Sequence, residues 1–73
     1  MGIIRQLPAL QEKDWTSQSE IARTDCSVVR GPDGNYFQIE TYGTRGVAVS
    51  QNMRFTPQAV QQLKAFLNRE EFS

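Results

Sequence analysis

The sequence predicts an α+β domain, an antiparallel sheet of three to four strands packed against one C-terminal helix and completed as a dimer. Three observations carry that expectation. IARTDCSVVR and YFQIETY flank the turn segment GPDGN. VAVSQNMRF alternates apolar and polar residues, with Gln51 interrupting the apolar set. TPQAVQQLKAFL then switches to a helical period behind a Thr-Pro start. Strands succeeded by a helix on one side is the layering of α+β domains.

Residues 1–19 form an arm whose sequence admits either a short helix or an extra strand. LPALQEKDW begins with Leu7-Pro8, and proline suits a first helical position. Ser17 and Glu20 have capping-box spacing, but the segment beyond Glu20 is rich in Thr, Ser and Val and reads as strand. Trp15 is expected to pack on the core or anchor the arm to a partner.

Strands are expected within residues 20–55. The first runs from Ile21 to Arg30. Pro32-Asp33-Gly34 is a turn with a mechanism: proline pre-sets one dihedral, aspartate bonds locally and glycine accepts positive φ. In the next strand Phe37, Ile39 and Thr41 share one face, and Tyr36, Gln38, Glu40 and Tyr42 share the other. After the loop GTRG, Val47, Val49, Met53 and Phe55 turn towards the core; Ala48, Ser50, Asn52 and Arg54 turn away.

The helix is expected within residues 56–70, capped by Thr56 with Pro57 in its first turn. Val60, Leu63 and Leu67 form a stripe, with Ala59 and Phe66 beside it. Val60, Leu63, Phe66 and Leu67 are therefore the candidate core or dimer residues. Burying one such leucine contributes roughly 1.5–3 kcal/mol.

Seventy-three residues make a single domain. A chain of this length buries only about 60% of its unfolded surface, so small domains gain from disulfides, metals or a second subunit. One cysteine and no histidine leave the second subunit as the favoured supplement. Phe66 and Phe72 near the helix end point the same way. The unpaired Cys26 makes the cytoplasm the default compartment. The start MGIIRQLPAL is a poor signal peptide, and no segment is apolar for long enough to cross a bilayer.

Without histidine the usual base of a nucleophilic triad is missing, and clustered zinc ligands are excluded. No phosphate-cradling glycine motif occurs. A non-enzymatic protein without a cofactor is expected.

Formal net charge is zero, so no strong field surrounds the whole molecule. Charge is unevenly placed along the chain, however. Thr41 to Asn68 contains no acid but holds Arg45, Arg54 and Lys64. If the apolar strand residues face the helix, the opposite sheet face presents Tyr36, Gln38, Tyr42, Ser50, Asn52 and Arg54, with Arg45 on the adjoining loop. Aromatic rings beside cations and amides suit single-stranded nucleic acid, whose bases stack and whose phosphates pair. A solvated antiparallel face has the same composition.

The run MRFTPQAVQQLKAFL resembles the end of the transcriptional coactivator family of positive cofactor four and its small bacterial and phage relatives. Thr56 and Pro57 match that family's cap, and Gln62, Leu63 and Lys64 match its helix. Ile39 and Tyr42 of YFQIETY match its strand of alternating aliphatics. The resemblance covers roughly residues 27–67. It implies a four-stranded antiparallel sheet, a homodimer built through the helix, and binding of single-stranded or unwound DNA in transcription or DNA metabolism. The chain departs from the family at Ser50 and Gln51, where a basic pair is usual, at Glu40 in place of an arginine, and at Val60 in place of a tryptophan.

These residues support two function classes. One is a nucleic-acid-binding protein using Tyr36, Gln38, Tyr42, Arg45, Asn52 and Arg54. The other is a protein-interaction or regulatory module, of the kind carried by phages and plasmids, that docks on a host protein complex.

Overall fold

Pro32 and Asp33 alone connect two nine-residue strands, and this turn sets the register of the sheet. Gly31 pairs with Gly34 across it, and Gly34 has φ 131°, a conformation that L side chains rarely adopt. A Cβ on Gly31 would lie 2.5 Å from Cε1 of Tyr36, so a side chain here would have to displace the Tyr36 ring. The computed structural model describes residues 2–21, 23–43 and 49–72. They form β1 (Gly2–Ile4), β2 (Arg23–Gly31), β3 (Gly34–Tyr42), β4 (Val49–Phe55), α1 (Pro57–Leu67) and a short 3-10 turn at Glu70–Phe72.

The architecture is α+β, as the sequence predicts, with one four-stranded sheet in the order β1-β4-β3-β2. β2, β3 and β4 are antiparallel neighbours. The sheet is nevertheless mixed, because β1 pairs parallel to β4 rather than antiparallel. Thr56 explains the placement of β1. Its backbone N–H donates to the Ile4 carbonyl at 3.0 Å, and its hydroxyl donates to the Arg5 carbonyl at 3.2 Å. The arm is thereby tied to the residue that caps the helix.

Thr56 is also the N-cap in the usual sense. Its backbone is extended, and its Oγ1 accepts from the Ala59 N–H at 3.2 Å. Pro57 occupies the first turn, where a missing N–H costs nothing. The helix ends at Asn68, whose N–H donates to the Lys64 carbonyl at 3.0 Å, and Lys64 sits in the last turn, the end favoured by a cation.

α1 packs over β3 and β4. Ala59 of the helix is completely buried, and Phe55 of β4 is 8% exposed. Phe37 lies against Phe55 at a ring separation of 6.0 Å. The buried stripe is therefore phased on Ala59, with Val60, Leu63 and Phe66 half-buried. Leu67, expected in that stripe, is 54% exposed. Ala59 is the buried residue of α1, so the deepest position of the helix is taken by its smallest side chain.

The helix does not cover the whole sheet. On β2 the helix-side residues Thr24, Cys26, Val28 and Arg30 are all exposed, Val28 at 68%. Of the two alternatives for the arm, the extra strand is present as β1, and residues 5–21 have no regular secondary structure. Instead the Leu7 N–H donates to the side chain of Gln62 at 2.7 Å. Leu7, Pro8 and Leu10 then flank Phe55, Leu63 and Phe66 around an apolar groove of about 430 Å³. Trp15, expected to pack on the core or on a partner, is 89% exposed and so does not pack on the core. The Cα radius of gyration is 14.1 Å, against about 11 Å for a compact domain of this length. No helix among the described residues is long and apolar enough to cross a membrane.

Candidate functional site

The register places the candidate residues on one face. Gln38 pairs with Arg54 and Glu40 with Asn52, so these four side chains share the face opposite α1. Tyr36 and Tyr42 stand on the same face of β3, six residues and about 20 Å apart. Val47, Ala48 and Arg45 lie outside the described residues, and so does the side chain of Ser50. Tyr36, Gln38, Tyr42, Asn52 and Arg54 are thus brought together, and Arg45 is left open.

β2 adds residues that strand alternation alone does not single out. Arg23 pairs with Tyr42, Asp25 with Glu40, and Ser27 with Gln38. The Arg23 guanidinium carbon sits 4.5 Å from the centroid of the Tyr42 ring, within cation–π range. It also reaches Asp25 at 3.4 Å. The Tyr42 hydroxyl donates to the same carboxylate at 2.9 Å.

The far end of β3 repeats the arrangement. The Tyr36 hydroxyl donates to Asp33 at 2.6 Å, and the Arg5 guanidinium lies close enough to act on the phenol. Both phenols are held above the ordinary value of 10.0. For Tyr36 the hydrogen bond to Asp33 is the main cause, then partial desolvation and the Asp33 charge, with Arg5 opposing. For Tyr42 the hydrogen bond to Asp25 leads, then desolvation and the charges of Asp25 and Glu40, with Arg23 opposing.

Between the two tyrosines lies a chain of polar contacts. Arg54 Nε donates to Gln38 Oε1 at 2.8 Å, and Gln38 Nε2 donates to Glu40 Oε1 at 2.6 Å. Gln38 is only 7% exposed, and both its amide atoms are engaged. It holds Arg54 in place rather than presenting an amide to a ligand. Asp25 directly opposite Glu40 is a like-charge pair, which is unfavourable across a sheet. Separate donors relieve it: Tyr42 and Arg23 serve Asp25, and Gln38 serves Glu40. Asn52 Oδ1 is buried without a hydrogen-bond partner among the described residues.

The face therefore carries two half-buried rings, three arginines (Arg5, Arg23, Arg54) and three carboxylates (Asp25, Asp33, Glu40). Arg23 is countable from the sequence, because a two-residue turn at Pro32-Asp33 fixes it opposite Tyr42. Arg5 is not, since its position depends on the parallel pairing of β1. No group of metal-ligating side chains occurs among the described residues. Comparison of the chain with protein-family models, with curated protein sequences and with solved structures finds no match.

Proposed function

We propose that this is a small, non-enzymatic, single-stranded nucleic-acid-binding protein of the cytoplasm that acts on unwound DNA in transcription or DNA metabolism. The observation that carries the reading is the gathering of Tyr36, Tyr42, Arg5, Arg23 and Arg54 on the sheet face that α1 leaves open. The Tyr36 ring offers a stacking surface, and the Tyr42 ring offers one once Arg23 swings off its face towards a phosphate. Arg5 and Arg54 are further phosphate partners. Gln38 and Asn52 belong to the same face, Gln38 as the residue that positions Arg54. The single unpaired Cys26 supports the cytoplasmic assignment.

Fluorescence anisotropy with a short labelled oligonucleotide tests this. Each phosphate contact on a single strand contributes a slope of about −0.7 to the dependence of log K on log salt, so three arginines give about −2. Affinity should then fall about 20-fold between roughly 50 and 200 mM salt. Absence of binding at low salt, or binding indifferent to salt, contradicts the reading.

A second copy of the chain is proposed to cover the helix side of β2. Val28 and Cys26 are exposed there, Met53 of β4 and Leu67 of α1 are exposed elsewhere, and the chain is more expanded than a compact domain of its length. Sedimentation should show a dimer at tens of micromolar, with Cys26 protected from thiol reagents as concentration rises. A monomer with a fully reactive Cys26 favours the alternative reading. In that case the open apolar surface and the exposed Trp15 belong to a regulatory module that docks on a host protein complex.

A further inference from the structure

Tyr36 and Tyr42 share an arrangement that phosphate binding does not explain. Each phenol hydroxyl donates to an aspartate, Asp33 at 2.6 Å and Asp25 at 2.9 Å, and the Arg23 guanidinium sits over the Tyr42 ring. A carboxylate at the tip of a stacking ring repels a phosphate. Ionised aspartate can only accept hydrogen bonds, and its two oxygens have more capacity than one phenol fills. Asp33 bonds through Oδ1 and Asp25 through Oδ2, leaving the second oxygen of each without a hydrogen bond to a described side chain.

A single strand can meet these groups favourably in one orientation. Its phosphates lie towards Arg5, Arg23 and Arg54, and the edges of its bases lie towards Asp25 and Asp33. The edge that arrives must then be a donor. Cytosine, adenine and guanine each present an exocyclic amino group, and guanine adds a ring N–H beside it. Thymine offers one ring N–H between two carbonyl oxygens, both of which a carboxylate repels. We propose that Asp25 and Asp33 are specificity-determining residues that select amino-bearing bases over thymine at the two tyrosines. This inference rests on the nucleic-acid reading of the face.

The test compares oligo(dC) with oligo(dT) of equal length by anisotropy at neutral pH and low salt. It uses the full chain and the variants Asp25→Asn, Asp33→Asn and the double variant. Asparagine is a good turn residue, so Asp33→Asn keeps the hairpin chemistry. Circular dichroism checks the fold of each variant, and the comparison on the unaltered chain stands without them. The full chain should bind oligo(dC) about fivefold more tightly than oligo(dT), at the weak end of what a base contact discriminates. In the double variant the preference should vanish or reverse, because an amide can also donate to thymine. Equal affinity of the full chain for both oligonucleotides overturns the inference and leaves the nucleic-acid reading standing. So does an equal gain for both in the double variant, which would make the aspartates merely repulsive. Failure to bind either oligonucleotide overturns both.

Discussion

The two faces of this sheet use the same strands in different ways. Under α1 the buried apolar residues are local to one end: Ala59 and Phe55 are buried, Phe37 lies against Phe55, and the cover stops before β2. On the other face several polar side chains bond to one another, through Arg54–Gln38–Glu40 and through the two Tyr–Asp pairs, while Asn52 Oδ1 has no partner among the described residues. The first face holds the fold and is incomplete. The second is internally bonded but open, so its groups are held in place before any ligand arrives. A small domain can separate stability from recognition in this way, because alternate residues of a strand answer to different neighbours.

Breaking the apolar face should have the largest effect. Phe55→Ala removes the buried ring beneath the helix and should cost about 3–5 kcal/mol. A chain of this length holds roughly 4–11 kcal/mol in total, so the melting transition should collapse or disappear in circular dichroism. A transition close to that of the unaltered chain would show that the core lies elsewhere.

Thr56→Ala should have an intermediate effect, about 1–2 kcal/mol, since it removes the helix cap. It also removes the hydroxyl contact to Arg5 that ties the arm to the sheet. Hydrogen exchange should therefore report faster exchange at the helix start and at Ile4 together. Loss at the helix alone would separate β1 from the cap.

Changes on the polar face should leave the melting transition nearly unaltered and move a titration instead. The folded chain raises the phenol values of both tyrosines above 10.0. The raised value favours the protonated phenol, so its contribution is complete below about pH 10 and is lost as pH rises through the folded value. Asp25→Ala should bring the Tyr42 phenol down, read by tyrosinate absorbance in a Tyr36→Phe background. An unchanged midpoint would mean that Asp25 does not hold Tyr42 in solution.

Much of the fold is legible in the sequence because its signals are local. Pro32-Asp33-Gly34 specifies a hairpin, Phe37 and Ile39 specify a face, and Thr56-Pro57 specifies a helix start. The direction of β1 is not legible, since three residues carry no register and the pairing is set by Thr56, far along the chain. The phase of the helix escapes for a related reason. Periodicity weighs Val60 and Leu67 above Ala59, whereas close packing favours the smallest side chain. On the candidate face, strand alternation groups Tyr36, Gln38, Tyr42, Asn52 and Arg54. It does not reveal that Gln38 is consumed in holding Arg54, or that carboxylates engage both phenols.

Nuclear magnetic resonance mapping with a short single-stranded oligonucleotide tests the division between the faces most directly. Binding should shift resonances of Tyr36, Tyr42, Asn52, Arg54 and Arg23, while those of Ala59, Leu63 and Phe66 stay in place. Shifts centred on Cys26, Val28 and Leu67 with the polar face unmoved, or no shifts at all, would contradict it.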